Sequence, residues 1–325
     1  MKVIPILAPI HEELERVERK MREVSRTEYE QMRAILDYLL SGGGKRLRPA
    51  LVLLSNKFYP ADADKVTSLA AAVETLHTAT LVHDDLIDNA LLRRGNSTLN
   101  ALWNSAATVL TGDYLFARAA AFAAETESVC VISIFAQTLM TICSGELNQI
   151  FSSDGGQPTA TAKEYYYQRI YSKTASLFAA SAEAGALLGE ASQTEAQVLR
   201  DYGYNLGMAF QIVDDILDFA GNEDDLGKPV GSDLRQGIIT LPAIHFLEAH
   251  PGNETVTRVL SNRDVRENEV RAAVEAIKES GAIESSIAEA KSFAARSRDA
   301  LSILPHNDYR QAMLDLADFV VERRK

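Results

Sequence analysis

The segment LVHDDLIDNALLRRG, from Leu81 to Gly95, places three aspartates within five positions of a largely apolar run. A second segment, FQIVDDILDFAG from Phe210 to Gly221, repeats the arrangement far along the chain. The six aspartates are Asp84, Asp85, Asp88, Asp214, Asp215 and Asp218. Because an α-helix turns by about 100° per residue, Asp84 and Asp88 lie about 40° apart, and all three carboxylates of the first segment can point into one space.

Carboxylates in such apolar surroundings need a compensating cation. Burying them without a partner would cost several kcal/mol each. Carboxylate oxygens on a rigid helix suit Mg²⁺, which takes oxygen ligands and often completes its shell with water and phosphate. A solvated acidic helix face is the alternative for one such segment. Two segments, each preceded by apolar residues (TATLV and MAFQIV), favour Mg²⁺ sites over a solvated face.

The composition is that of a globular protein without a broadly basic surface. Of 325 residues, 46% are hydrophobic and 24% are charged, and the formal net charge is −12. This balance argues against a nucleic-acid partner. Cys130 and Cys143 lie in an apolar run without metal-site spacing, so we expect buried, reduced thiols. The apolar opening of the N-terminus is too short for a signal peptide or a membrane span, so we expect a cytoplasmic protein.

Helical periodicity dominates the chain. Segments such as SLAAAVETLHTATLVHDDLID and VCVISIFAQTLMTICSGELNQIF are long, rich in Ala or Leu and almost free of Gly and Pro. This composition favours helices that are apolar on most faces. Turn-forming residues break the pattern at 41–49, 57–64, 152–160 and 221–233. Because no alternating strand series and no linker is evident, we predict one all-α domain over residues 1–325, built as a helical bundle.

Basic residues accompany both aspartate segments. GGGKRLRP places Lys45, Arg46 and Arg48 on a Gly-rich turn that should open a helix, where backbone N–H groups can bind an anion. A solvated loop is the alternative for this turn. His77 lies two helical turns before Asp84 on nearly the same face. Further candidates are Arg93, Arg94, Lys173, Thr174 and Lys228. Acidic sets combined with cations predict diphosphate ligands, bound through Mg²⁺ on one side and through Lys or Arg on the other.

Taken in order, six motifs resemble those of the trans-isoprenyl (polyprenyl) diphosphate synthases, and they span nearly the whole chain. The motifs are GGGKRLRP, LHTATLVHDDLIDNALLRRG, GDYLFARA, YSKTASLF, FQIVDDILDF and GKPVGSDLRQG. The resemblance implies an all-α isoprenoid-synthase-type bundle around a deep central cavity, with the two aspartate segments facing each other across its mouth. It also implies a homodimer and a Mg²⁺-dependent condensation of isopentenyl diphosphate with an allylic prenyl diphosphate.

The same resemblance implies roles for individual residues. Mg²⁺ on the allylic diphosphate would be held by Asp84, Asp85, Asp88, Asp214, Asp215 and Asp218. The allylic diphosphate would contact Arg93, Lys173, Thr174, Gln211 and Lys228, and isopentenyl diphosphate would contact Lys45, Arg48, His77 and Arg94. Catalysis would rest on Asp84, Asp85, Asp88, Lys173, Asp214 and Lys228. Many relatives carry Lys or Asn where this chain has Ile238, so we expect one peripheral cation fewer and weaker assistance to ionisation.

Two small residues before the first aspartate segment bear on product length. In short-chain members of the family, an aromatic residue four or five positions before the motif blocks the cavity, whereas this chain has Thr80 and Ala79. The resemblance therefore favours a long product, in the hexaprenyl to decaprenyl range. Phe135, Leu139 and Met140 are candidates for the cavity floor, with ordinary core packing as the alternative for each. A long apolar product also implies transient membrane contact on release.

Four alternatives stay open at this point. A short-chain synthase that makes farnesyl or geranylgeranyl diphosphate would share the aspartate motifs. A class I terpene cyclase would share the fold and the metal site, but its second motif typically mixes Asn, Ser or Thr with Glu, unlike DDILD. The chain could also be a catalytic subunit that needs a distinct partner chain. A helical scaffold without activity would have no use for two buried acidic clusters.

Overall fold

The computed structural model describes residues 3–93, 95–152, 159–220, 230–261 and 265–323. The α-helices in these ranges are α1 (Val3–Ile6), α2 (His11–Met21), α3 (Glu30–Ser41), α4 (Leu47–Asn56), α5 (Ala63–Ile87), α6 (Leu99–Leu102), α7 (Ser105–Ala124), α8 (Val129–Ser152), α9 (Thr159–Ile170), α10 (Ser176–Leu188), α11 (Gln193–Ala220), α12 (Ser232–Arg235), α13 (Leu241–Ala249), α14 (Glu254–Ser261), α15 (Glu267–Glu279), α16 (Ala282–Ala300) and α17 (Asp308–Glu322). The predicted all-α class is confirmed.

Shorter elements connect these helices. One antiparallel pair of strands, β1 (Leu92–Arg93) and β2 (Asn96–Ser97), follows α5. A π-helical turn, Tyr171–Ala175, joins α9 to α10. Turns of 3₁₀-helix lie at Ala8–Ile10, Arg22–Ser25 and Leu301–Ile303.

The aspartate segments form the last turns of two long helices, α5 and α11. Helix α5 begins after Asp62, whose carboxylate accepts hydrogen bonds from the N–H groups of Asp64 and Lys65. Neither helix contains Pro, and each packs against several neighbours: α5 against α4 and α7, and α11 against α10 and α16. The C-terminal end of a helix is the negative end of its dipole. Carboxylates at these two ends are therefore unfavourable unless cations are near.

Helix α10 lies in the middle of the bundle, where it contacts α4, α5, α8 and α11. Its small residues, which include Ala182, Ala184 and Gly185, are buried and let these neighbours approach closely. Buried side chains from Ile6 to Val320 belong to one hydrophobic core cluster. The division of the chain into a single domain over residues 1–325 stays a prediction.

Helix α8 differs from the expected core helix. Its inward face is buried through Val131, Phe135 and Ile142, and Leu139 packs against the core. Cys130 and Cys143 are exposed, so the prediction of buried thiols is wrong for the single chain. Met140, a candidate for the cavity floor, is 55% exposed in the single chain, and its floor role stays a prediction. Apolar composition predicts that a helix is covered, but it does not reveal whether the covering surface belongs to the same chain.

The outer faces of α7 and α8 carry a set of exposed apolar side chains, which we call the α7–α8 surface. Its members are Val109, Leu110, Val129, Ile132, Met140, Leu147, Ile150 and Phe151. Among the described residues, only Val129–Phe151 forms a helix that has the length and apolar character needed to cross a membrane, and 22% of its most apolar window is buried. Large exposed apolar surfaces are typical of interaction sites.

Candidate active site

Twelve of the predicted site residues converge on one cavity of about 880 Å³. The predicted residues that line it are Lys45, Arg48, His77, Thr80, Asp84, Asp85, Asp88, Arg93, Lys173, Thr174, Gln211 and Asp214. Three predicted residues are not part of the lining, namely Ala79, Asp215 and Asp218. Arg94 and Lys228 lie outside the described residues.

The first aspartate segment faces this cavity from the end of α5. Arg93, on strand β1, donates a hydrogen bond from Nε to Asp85 Oδ1 at 2.8 Å. Lys173 Nζ lies 3.7 Å from Asp84 Oδ2. Burial nevertheless raises the pKa of Asp84 to about 6, with the carboxylates of Glu146 and Asp88 acting in the same direction. Two nearby cations therefore do not neutralise the segment, and the site favours a further cation.

The second segment presents one aspartate to the cavity and buries the other two. Asp214 lines the wall. Asp215 is 5% exposed and accepts hydrogen bonds from Tyr166 and Gln211, each at 2.8 Å. Asp218 is 1% exposed and accepts a hydrogen bond from the backbone N–H of Asp233 at 3.1 Å, at the start of α12. The metal-binding role predicted for Asp215 and Asp218 stays a prediction, and both side chains are engaged within the protein.

An arginine just beyond the end of α17 contacts the second segment. Arg323 Nη2 lies 2.7 Å from Asp214 Oδ1, and its guanidinium carbon lies 3.8 Å from the centroid of the Phe210 ring. Its side chain is 4% exposed, and it lines the cavity. Nothing in VVERRK distinguishes this arginine from an exposed one, because its partner is distant in sequence. Arg323 therefore places a positive charge on the one aspartate of α11 that faces the cavity.

Lys173 and Thr174 lie on the π-helical turn between α9 and α10. Single π-helical turns recur at functional sites because they change the direction of side chains within a helix. Glycines of two neighbouring helices flank this turn. A Cβ atom on Gly145 of α8 would lie 2.4 Å from Ser172 Cβ, and one on Gly207 of α11 would lie 2.6 Å from Ala175 Cα. Both helices therefore approach the turn more closely than any larger residue would allow.

Glu146 of α8 completes the surroundings of Lys173. Its Oε1 atom accepts a hydrogen bond from Lys173 Nζ at 2.9 Å, so that the ammonium lies between Glu146 and Asp84. The pKa of Lys173 is raised, because these carboxylates outweigh the effect of burial. Nothing in the sequence marks Glu146, which looks like an isolated charge in an apolar helix. Lys173 is thus a firmly protonated cation beside the first aspartate segment.

The Gly-rich turn opens a helix, as predicted, because α4 begins at Leu47. Arg46 adopts a left-handed conformation with φ of 50°, and its guanidinium pairs with Glu18 and with Glu74, the latter at 2.8 Å. These carboxylates come from α2 and α5, so Arg46 fastens the turn to two helices. Its neighbours Lys45 and Arg48 line the cavity. All three basic residues of the motif line the cavity, and Arg46 in addition holds the turn through its carboxylate partners.

The buried aspartates predict an unusual pH dependence of stability in the metal-free protein. Burial raises the pKa values of Asp84, Asp85, Asp88 and Asp215 above the unfolded value of about 4. The folded protein then binds more protons than the unfolded chain, so the free energy of unfolding falls as pH rises from about 4 through 6 and above. We expect the Tm of the metal-free protein to be higher at about pH 5 than at about pH 8.

Thermal unfolding of the wild type and of Asp84→Asn at several pH values measures this effect. The variant should lose part of the difference, because Asn does not ionise. Equal pH dependence in the two proteins would contradict the assignment of the effect to Asp84.

Several known proteins are similar to this chain along nearly its whole length. The family described as Polyprenyl synthetase matches residues 29–277. The chain is 39% identical to heptaprenyl diphosphate synthase component 2 of Geobacillus stearothermophilus and 35% identical to the short chain isoprenyl diphosphate synthase of Methanothermobacter thermautotrophicus, in each case over 99% of both chains. A solved structure of polyprenyl synthase from Caulobacter crescentus, complexed with calcium and isoprenyl diphosphate, has a TM-score of 0.93 at 38% identity and covers 99% of this chain and 98% of that one. The chain therefore belongs to the polyprenyl synthetase family and is a prenyltransferase of the polyprenyl diphosphate synthase type.

Proposed function

We propose that this prenyltransferase condenses isopentenyl diphosphate with an allylic prenyl diphosphate, head to tail, and makes a long all-trans polyprenyl diphosphate with the help of Mg²⁺. The charge pattern of one cavity carries the proposal. Carboxylates of both aspartate segments line the same space as four basic residues, namely Lys45 and Arg48 of the Gly-rich turn, Arg93 at the end of the first segment, and Lys173 of the π-helical turn. Two diphosphates need several cations, and the carboxylates bind an anion only through a metal ion.

The carboxylates of the cavity suit Mg²⁺. Asp84 and Asp88 lie one helical turn apart, and burial raises the pKa values of both, because the ionised carboxylates lack solvation that a metal ion would replace. Among the described residues, no group of three Asp, Glu, His or Cys side chains could hold a metal ion by itself. Mg²⁺ often takes one or two carboxylates and completes its shell with water and phosphate oxygens, so this donor set fits a substrate-bridged ion. Mg²⁺ held by Asp84 and Asp88, or by Asp214 on the other side, would stabilise negative charge on a leaving diphosphate.

The proposed reaction exchanges one carbon–oxygen bond for one carbon–carbon bond. The diphosphate leaves C1 of the allylic substrate with the bonding electron pair. The double bond of isopentenyl diphosphate supplies the pair for the new bond to C1, and loss of one proton restores a double bond in the product. Lys173 and Arg93 would neutralise the departing diphosphate, since both cations already lie beside the first aspartate segment. The proton would pass to the released diphosphate.

Thr80 is expected to influence product length more directly than Ala79. Thr80 lies one turn before Asp84, about 40° from it around the helix, and it lines the cavity. Ala79 is fully buried and is not part of the lining. Thr80→Tyr would place a ring in the path of the growing tail, so we expect it to shorten the product by several isoprene units.

Mass analysis of the dephosphorylated products measures this change. Ala79→Tyr is the matched variant on the adjacent position, and we expect it to lower stability as well as product length, because its site is closed on all sides. An unchanged product distribution in Thr80→Tyr would exclude this position from length control.

A second copy of the chain is the proposed partner for the α7–α8 surface. Its exposed apolar side chains would be covered in a homodimer, and Cys130 and Cys143 would then be shielded. One similar protein is named as component 2 of a heptaprenyl diphosphate synthase, so a distinct partner chain is the competing arrangement. We further propose a cytoplasmic enzyme that touches a membrane only while it releases its apolar product.

A product assay with the purified chain alone tests these proposals together. The mixture contains Mg²⁺, isopentenyl diphosphate and farnesyl diphosphate, and omission of Mg²⁺ is the control. A ladder that ends at a long polyprenyl diphosphate supports the proposal, whereas extension by one or two units would identify a short-chain synthase. Release of diphosphate without extension would favour a terpene cyclase. Inactivity that is cured by a second, distinct chain would replace the homodimer with a heteromeric enzyme.

A further inference from the structure

A fully buried tyrosine outside the cavity is connected to the cavity wall by side-chain hydrogen bonds. Tyr166 lies on α9, is 1% exposed, and donates a hydrogen bond from its hydroxyl to Asp215 Oδ2 at 2.8 Å. No motif contains it, and it is not part of the cavity lining. Because the phenol cannot reach a bound substrate, any effect of its hydroxyl on the reaction must pass through Asp215.

Two more hydrogen bonds continue from Asp215 to the cavity. Gln211 donates from Nε2 to Asp215 Oδ1 at 2.8 Å, and Thr174 donates from its hydroxyl to Gln211 Oε1 at 2.6 Å. Gln211 and Thr174 both line the cavity, whereas Tyr166 and Asp215 do not. The three hydrogen bonds from Tyr166 to Thr174 form one series, which crosses from α9 through α11 to the π-helical turn. It ends on Thr174, the residue next to Lys173.

The donor and acceptor ends of Gln211 are set by its contact with Asp215. An amide side chain can turn by 180° and exchange its donor and acceptor ends. Both oxygens of Asp215 accept hydrogen bonds, Oδ2 from Tyr166 and Oδ1 from Nε2 of Gln211, and this orientation of the amide turns Oε1 of Gln211 toward Thr174. Tyr166 and Gln211 each donate to one oxygen of Asp215, and together they fix the rotation of the carboxylate. Without the Tyr166 hydroxyl, one buried oxygen loses its donor and the carboxylate is no longer held from both sides.

We propose that Tyr166 is a positioning residue for the diphosphate site, which acts through Asp215 on the orientation of Gln211 and Thr174. This inference rests on the proposed function, in which those two residues contact the allylic diphosphate. It predicts a selective effect. Binding of the allylic diphosphate should depend on the Tyr166 hydroxyl, whereas binding of isopentenyl diphosphate at Lys45 and Arg48 should not.

The adjacent tyrosine supplies a matched control. Tyr167 also donates its hydroxyl to a carboxylate, but its partner is Glu289 of α16, and neither residue lines the cavity. Tyr166→Phe and Tyr167→Phe each remove one hydroxyl and keep the ring. In the first variant the ring stays under the guanidinium of Arg169, 5.4 Å away, so the packing of α9 is retained.

Steady-state kinetics with both variants tests the proposal. We expect Tyr166→Phe to raise KM for the allylic substrate about tenfold, since a hydrogen-bonded contact to a charged group is weakened. KM for isopentenyl diphosphate should change less than about twofold, within the scatter expected for an independent site. Tyr167→Phe should leave both values at the wild-type level. Equal KM values in the two variants, or a lower Tm for Tyr166→Phe with unchanged KM values, would overturn the proposal.

A double-mutant cycle distinguishes positioning from a general loss of structure. Thr174→Val removes the last hydroxyl of the series, so Tyr166→Phe should raise the allylic KM by a smaller factor in that background than in the wild type. If Tyr166→Phe raised the allylic KM by the same factor in both backgrounds, Tyr166 would not act through Thr174. Thermal-shift titration with Mg²⁺ and inorganic diphosphate gives a readout that needs no turnover. A smaller shift in Tyr166→Phe than in Tyr167→Phe supports the inference even if elongation fails, and equal shifts count against it.

Discussion

Asp84→Asn is expected to lower turnover on the order of a thousandfold or more, because it removes one of the carboxylates that would hold Mg²⁺ against the leaving diphosphate. The fold should survive the change. Burial already raises the pKa of Asp84 to about 6, which means that its ionised form is unfavourable in the metal-free protein. The variant should therefore be at least as stable as the wild type near neutral pH when no metal is present.

Steady-state rates across a Mg²⁺ titration, together with thermal unfolding, measure both parts of this expectation. Asp299→Asn is the control, since that aspartate is exposed on α16 and does not line the cavity. Asp214→Asn should show a similar loss of turnover. Its effect on stability differs, because Arg323 would lose its charged partner. Turnover near the wild-type level in Asp84→Asn would refute the assignment of the first segment as a metal site.

Gly207→Ala is expected to damage catalysis by moving the π-helical turn. The added Cβ atom would lie 2.6 Å from the backbone Cα of Ala175, which no side-chain rotation can relieve. Overpacking of this kind costs about 1–3 kcal/mol, while replacement of Gly by Ala inside a helix returns up to about 1 kcal/mol. The steric cost therefore outweighs the gain in most of this range. A shift of about 1 Å in Lys173 and Thr174 could lower turnover about a hundredfold.

Thermal unfolding and steady-state rates of Gly207→Ala separate the two effects. Gly42→Ala is a control for stability alone, because Gly42 itself lines the cavity, a Cβ atom there would lie 3.4 Å from the nearest backbone oxygen, and the residue has ordinary helical geometry. A Gly207→Ala protein with wild-type turnover would show that the close approach of α11 does not set the position of Lys173.

Local patterns in the sequence predict the secondary structure and the motifs of this protein. The helical period predicts the all-α class, and the motifs predict most of the residues that line the cavity. Orientation is less accessible: Asp214 and Asp215 are adjacent, yet about 100° of helix rotation sends one to the cavity and the other into the core. The same limit applies to Arg46, which lines the cavity like its neighbours, but whose guanidinium pairs with Glu18 and Glu74.

Partners that are distant in sequence are not encoded in any local pattern. Arg323 and Tyr166 contact the second aspartate segment from α17 and α9, and only the packing of the bundle brings them there. Cys130 and Cys143 are exposed in the single chain although they lie in an apolar helix, so a local pattern also fails to predict what covers a surface. An apolar helix has the same composition whether its cover is the rest of its own chain or another molecule.

The placement of Thr80 one turn below Asp84 on the same side of α5 has an evolutionary consequence. The charged groups that would perform the chemistry occupy the end of the helix, and Thr80 lines the same cavity further down, where it would limit the room for a hydrocarbon tail. On the proposed function, a substitution in the lower part would alter the product and leave the reaction intact. Descendants of one ancestral gene would then diversify their lipids through single codon changes, without rebuilding the machinery that makes them.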